Sequence, residues 1–176
     1  MIIEPPREAR FRDWLNEYRG VLNRIARGYT VTPEDRADLL QEMAAQLWQS
    51  LPGFKAQCQP VTWIYRVCLN TALGWRRGAV RQRAFATLDR ERIDLAPSTE
   101  PRPGWTHEKE ELLARLYTHI RELPPGERSL VLLSLDGLSY REISDLTGLT
   151  ENHVGVTLTR ARQKLTQAFK EVRDEL

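Results

Sequence analysis

The chain has 176 residues, with 26 Lys and Arg against 24 Asp and Glu and a formal charge of +2, a length that admits one domain or two small ones. Its 41% hydrophobic content is too high for a mainly disordered chain; no run approaches the ~18 apolar residues of a membrane span, and the charged, Pro-containing start does not read as a secretory signal. Two cysteines, Cys58 and Cys68, cannot form a disulfide framework at this size, which points to a reducing, cytoplasmic compartment.

Taken in order, Trp14, Leu15, Tyr18, Val21, Leu22, Ile25 and Ala26 recur at three- and four-residue spacing and predict one amphipathic helix. Thr32-Pro33-Glu34-Asp35 predicts the next start: a capping hydroxyl, a proline suited to the first helical position, and acids at the positive end of the dipole. That helix buries Leu40, Met43, Ala44, Leu47 and Leu51 and stops at Pro52-Gly53. After a short loop, Pro60 opens a third helix to about Arg83, with Ile64, Val67, Cys68, Thr71 and Trp75 on one face. Residues 86–107 lose every apolar period and gather Pro97, Pro101, Pro103, Gly104 and acids, which predicts a flexible linker.

Helical periodicity resumes at Leu112, Leu113, Leu116, Ile120 and Leu123, breaks at Pro124-Pro125-Gly126, and continues from Leu130 to Leu135 until Gly137. Ser139-Tyr140-Arg141-Glu142 is a capping box. Gly148 supplies a tight turn, and Thr150 caps a last helix with Val154, Leu158, Ala161 and Leu165 inward. Two short helices about a Gly-containing turn predict a helix-turn-helix of the DNA-binding kind, with an ordinary helical hairpin as the plainer alternative. The fold expected is all-α: two small helical domains, 1–85 and 108–176, joined by the linker 86–107.

Charge is distributed unevenly. Residues 1–85 hold 13 basic and 8 acidic side chains, whereas 86–111 hold 4 and 7. No carboxylate falls between Glu42 and Asp89, although Lys55, Arg66, Arg76, Arg77, Arg81 and Arg83 do; none falls between Asn152 and Lys170, which enclose Arg160, Arg162 and Lys164. Such windows are local positive fields that attract phosphates. On the last helix Asn152, Val156, Thr159, Arg160 and Gln163 lie opposite the apolar stripe, flanked by His153 and Gly155. Early residues of a recognition helix meet base edges; the later cations Arg160, Arg162 and Lys164 suit phosphates, which position without specifying. In the earlier basic helix Trp63, Tyr65 and Trp75 alternate with Arg66, Arg76 and Arg77. Rings beside cations suit unstacked bases at ~1–3 kcal/mol per base, while a purely core role for the rings fits the same spacing.

Asp35-Arg-Ala-Asp-Leu-Leu-Gln-Glu42 with Leu47-Trp48, Val61-Thr-Trp-Ile-Tyr-Arg66 continuing to Asn70 and Arg76-Arg77, Leu123-Pro-Pro-Gly-Glu-Arg128, Leu138-Ser-Tyr-Arg-Glu-Ile-Ser-Asp-Leu-Thr-Gly148 and Arg160-Ala-Arg-Gln-Lys-Leu165 together resemble a bacterial RNA polymerase sigma factor of the extracytoplasmic-function group. The resemblance spans nearly the whole chain. It implies that Asp35, Asp38, Leu39, Gln41 and Glu42 dock on the clamp helices of core polymerase. Lys55, Gln57, Thr62, Trp63, Arg66, Asn70, Arg76 and Arg77 would hold the single-stranded minus-ten element, with one base flipped into the loop at a cost of a few kcal/mol. Ser139, Tyr140, Arg141, Thr150, Asn152, His153, Val156, Thr157, Arg160, Arg162 and Lys164 would read the minus-thirty-five duplex. The polymerase flap would bind the same domain, and an anti-sigma factor would be a further partner. Two stretches depart from the common pattern: Gly155-Val156-Thr157, where many relatives carry more cations, and the loop Lys55-Ala-Gln-Cys-Gln-Pro60.

Two other classes fit the sequence less well. An autonomous helix-turn-helix regulator would dimerise over two half-sites, and no further dimerisation helix is evident. An enzyme is disfavoured: His107, His119 and His153 are far apart, and no H-E-x-x-H, P-loop or Gly-rich fingerprint occurs. No catalytic residue, metal or cofactor is expected.

Overall fold

The computed structural model describes the backbone of residues 6–82 and 106–174 and the side chains of residues 6–75 and 106–170. All regular elements among them are helical, and they fall into two compact units divided at residue 98. Arg76 and Arg77 lie outside the described side chains, as does nearly all of the expected linker.

The first unit contains α1 (Arg7–Glu17), α2 (Arg19–Tyr29), α3 (Pro33–Ser50), a 3-10 turn (Leu51–Gly53) and α4 (Pro60–Gln82). Where one long first helix was expected there are two. Tyr18 leaves the helical backbone at φ −102° and ψ 12°, its amide still bonded to Trp14 O at 2.9 Å while its carbonyl accepts from Val21 at 2.9 Å. The break follows from what each half buries. α2 sinks Val21, Leu22, Ile25, Ala26 and Tyr29 among α3 and α4, whereas α1 buries only Leu15 and lies across α3 and the 3-10 turn. Leu22, Ile25, Leu39, Leu40, Met43 and Ile64 are each under 2% exposed, and full burial of such side chains is worth about 1.5–3 kcal/mol apiece. α1 is held by rings instead: Phe11 meets Trp48 edge-on at 5.2 Å, and the Arg7 guanidinium lies 3.8 Å over the Trp48 ring.

The second unit contains α5 (His107–Glu122), α6 (Pro125–Leu135), α7 (Tyr140–Thr147) and α8 (Glu151–Asp174). The Thr106 hydroxyl accepts from the Lys109 amide at 3.4 Å, so α5 begins inside the last residues assigned to the linker. Leu112, expected inward, is 56% exposed. The inward stripe runs through Leu113, Leu116, Tyr117 and Ile120, and Leu112 falls off its edge. Leu123 and Pro124 are extended, and Pro125 occupies the first turn of α6, where a missing amide hydrogen costs nothing. Arg128 is 2% exposed; its Nη2 donates to Leu123 O at 2.9 Å and to Arg121 O. A cation therefore closes the negative end of the α5 dipole. α6 ends in a Schellman turn, Leu138 N to Leu133 O at 3.2 Å and Gly137 N to Ser134 O at 3.1 Å.

α7 opens on the predicted capping box. Gly148 ends it at φ +76°, a left-handed conformation that a β-carbon disfavours. α8 then runs unbroken for 24 residues, longer than the short recognition helix expected. Val154, Leu158 and Ala161 are fully buried against α6 and α7, and near its far end Phe169 meets the His119 ring of α5 edge-on at 5.4 Å.

Candidate nucleic-acid and protein interfaces

Three surfaces carry the predicted site residues. On α3 the Thr32 hydroxyl accepts from the Asp35 amide at 3.1 Å, with Glu34 and Asp35 in the first turn. Asp38 is exposed, Asp35, Gln41 and Glu42 are half-buried, and Glu42 accepts from Gln46 Nε2 at 3.0 Å. Positions 35, 38 and 42 repeat at helical spacing, so the acids share one side of α3. Leu39 does not join them. It is completely buried and anchors the helix to its own core, so its side chain offers no surface to a partner.

The second surface is the loop before α4 and one side of that helix. Phe54 packs edge-on to Trp14 at 5.0 Å and to Trp63 at 5.6 Å, and Trp14 lies 5.8 Å from Trp63. Trp63 is thus half-buried in a three-ring cluster that ties α1, the loop and α4 together. Lys55, Gln57 and Gln59 are exposed beyond this anchor, and the chain turns at Ala56, whose φ is +54°. Along α4, Arg66 and Asn70 are exposed and Thr62 half-buried, at four-residue spacing, while Ile64, Tyr65, Cys68, Leu69 and Ala72 are buried. Tyr65 is core and no stacking platform. Burial pushes the Cys68 thiol far above its ordinary range, because a thiolate has no solvation there.

The third surface is the helix-turn-helix. Glu142 N donates to Ser139 Oγ at 3.3 Å, and Ser139 N and Oγ each donate to Glu142 Oε2 at 2.7 Å. The hydrogen bonds from the Ser139 hydroxyl, then from its amide, hold the Glu142 carboxyl below the usual range. Thr150 Oγ1 accepts from His153 N at 3.2 Å. Ser139 and Thr150 are therefore cap residues first. Asn152, His153, Val156, Thr159, Arg160 and Gln163 are exposed opposite the buried stripe, with Arg141 exposed on α7 and Thr157 half-buried at the flank.

Two of the cations read as phosphate ligands are engaged within the unit. Arg162 Nη1 donates to the Tyr140 hydroxyl at 3.2 Å and Nη2 to Ser134 Oγ at 3.1 Å. Lys164 Nζ pairs with Glu127 at 2.9 Å. These bonds link α8 to α6 and α7 over 22 to 37 residues of chain, which no local pattern encodes. The sequence reading also missed the Trp14–Phe54–Trp63 cluster and the position of Tyr140, whose ring edge occupies the space beside Gly155. Its only legible sign was a glycine in mid-helix.

Among the described residues, no group of three or more His, Cys, Asp or Glu side chains is placed to hold a metal, and no helix is long and apolar enough to cross a membrane.

Residues 7–82 match the sigma-70 region 2 model and residues 113–165 the sigma-70 region 4 model. The ECF RNA polymerase sigma factor SigE of Mycolicibacterium smegmatis is 31% identical over 148 residues, 81% of this chain. The chain spans about half, 54%, of that relative's length. Two solved structures share the fold. One is CnrH in complex with the cytosolic domain of CnrY, at TM-score 0.66 and 19% identity over 93% of this chain and 90% of that one. The other is the sigma factor RpoE in complex with the anti-sigma factor NepR from Bartonella quintana, at TM-score 0.65 and 17% identity over 91% and 96%.

Proposed function

The chain belongs to the extracytoplasmic-function group of sigma-70 factors, and from that premise we propose that it directs core RNA polymerase to promoters by reading a minus-thirty-five duplex with its second unit and melted minus-ten DNA with its first. The observation that carries this reading is the pairing of two long helices in separate units, α4 with no carboxylate along its length and α8 with none from Asn152 to Lys170. α4 exposes Arg66 and Asn70 beside the loop residues Lys55 and Gln57, and α8 exposes Asn152, His153, Val156 and Arg160.

In this reading a few bases at the loop before α4 leave their stack, at a cost of a few kcal/mol each. Lys55, Gln57, Thr62, Arg66 and Asn70 receive them, Arg76 and Arg77 hold the backbone, and the ring cluster fixes the loop so that little ordering entropy is lost on binding. α8 enters the major groove with Asn152 and Val156 toward base edges and Arg160 toward phosphate. Asp35, Asp38, Gln41 and Glu42 face the clamp helices, and the second unit binds the flap. Each DNA contact set is weak alone; attachment to one polymerase raises its effective concentration. An anti-sigma factor, as NepR is to the structurally similar RpoE, would act by covering these surfaces.

Transcription from a random promoter library with purified core polymerase tests the proposal. The chain should redirect initiation to a shared two-part motif. Arg76→Glu with Arg77→Glu should abolish initiation while core binding persists. Tight operator binding by the chain without polymerase, and no redirection with it, would replace this reading by an autonomous regulator.

A further inference from the structure

Gly155 is half-buried at the flank of the exposed side of α8, and a β-carbon there would stand 3.2 Å from Tyr140 Cε2 and 3.5 Å from Cδ2. The tyrosine ring from α7 takes the space of the missing side chain. It is held in place, because Arg162 grips its hydroxyl while also bonding Ser134 on α6. The next residue, Val156, is 43% exposed, and Tyr140 itself is 38% exposed. They are two of four large apolar side chains exposed among the described residues of this unit, the others being Leu112 on α5 and Leu135 at the end of α6. Val156 lies in the first two turns of α8 and the Tyr140 ring of α7 lies against Gly155 next to it, the part of a recognition helix that meets base edges. Arg162 and Lys164 are turned to internal partners, and the early part of the reading face presents Asn152, Val156, Thr159 and an aromatic edge, with Arg141 and Arg160 exposed beside it.

We propose that Gly155 exists to admit the Tyr140 ring, and that Tyr140 and Val156 together form an apolar edge that recognises thymine C5-methyl groups in the duplex, with Arg162 as the residue positioning the ring. The chemistry is specific to one group: of the four bases only thymine offers a methyl in the major groove. The surrounding field favours DNA as the occupant, since no carboxylate occurs from Asn152 to Lys170. This inference rests on the duplex-reading role proposed for the second unit and names what that unit selects.

The test uses the full chain with core polymerase and a promoter fragment selected from a random library by the wild-type protein. Each thymine in its upstream element is replaced in turn by deoxyuridine, which removes only the methyl. Loss at one or two positions should lower closed-complex occupancy by about fourfold, as expected for one buried methyl. Val156→Ser should bind the thymine fragment as weakly as wild type binds the deoxyuridine one, and should no longer distinguish them. Gly155→Val, which displaces the ring, should behave likewise, with unchanged helicity showing that the unit still folds. If no upstream deoxyuridine alters occupancy, if the selected element lacks thymine, or if Val156→Ser keeps the preference, the inference is wrong although promoter selection stands. If the wild-type chain selects no promoter with core polymerase, the broader reading fails first and this one with it.

Discussion

Replacing Arg128 should loosen the second unit more than any other single change to a charged residue described in it. The side chain is 2% exposed and its Nη2 donates to both Leu123 O and Arg121 O. A net hydrogen bond from a charged donor contributes about 1.5–3 kcal/mol, so two give roughly 3–6 kcal/mol. Relief from burying a cation offsets part of this. Arg128→Ala adds a void and leaves the α5 carbonyls unsatisfied, for a net loss of about 3–5 kcal/mol. Arg128→Met keeps the packing and loses the bonds, for about 1–3 kcal/mol. The loss is best read locally, by hydrogen exchange and mass spectrometry of peptides covering α5 and α6, with α3 and α4 as the internal control. A 3 kcal/mol change appears as a fall in protection of roughly a hundredfold. Arg128→Met with protection equal to or above wild type would refute the idea that the guanidinium holds the end of α5.

Glu142 makes the cap of α7 acid-sensitive. Its folded-state carboxyl sits below the usual range, so its contribution is complete above the unfolded value near 4.3 and is lost as pH falls through the folded one; the thermal midpoint of the second unit should drop there, and Glu142→Gln should flatten the response. Ala56→Gly should stabilise the first unit slightly, by up to about 1 kcal/mol in unfolding free energy, because a φ of +54° strains alanine more than glycine; a clear loss of stability would show that Ala56 carries no strain. Iodoacetamide at mild alkaline pH should label Cys58, which is half-buried, and leave Cys68 unmodified until the chain unfolds, since burial keeps Cys68 protonated; equal labelling in peptide maps would contradict its packing.

Local chemistry was legible in the chain and long-range chemistry was not. The start of α3 at Thr32-Pro33, the Ser139–Glu142 box and the Gly148 turn each reside within four residues, and each formed as read. The break at Tyr18 carries no proline or left-handed glycine, and follows from two segments facing different neighbours. Leu39 matched a docking motif but its stripe turns it into the core. Trp63 looked like a platform for bases, and Trp14 and Phe54, 49 and 9 residues away in sequence, hold it. Arg162 and Lys164 looked like phosphate ligands, yet Ser134, Tyr140 and Glu127 capture them across the unit. Spacing identifies which side of a helix a residue is on; only packing decides what stands opposite.

The uninterrupted α8 has a mechanical consequence. Twenty-four residues make a rod of about 36 Å, pinned near its first half by Val154, Leu158 and Ala161 and touched near its tail by His119. Such a beam turns about its fulcrum. In the duplex-reading role proposed for α8, a sideways push on Phe169 from a displaced α5 would become an opposite swing at Asn152 and change the angle at which the helix tip enters the groove.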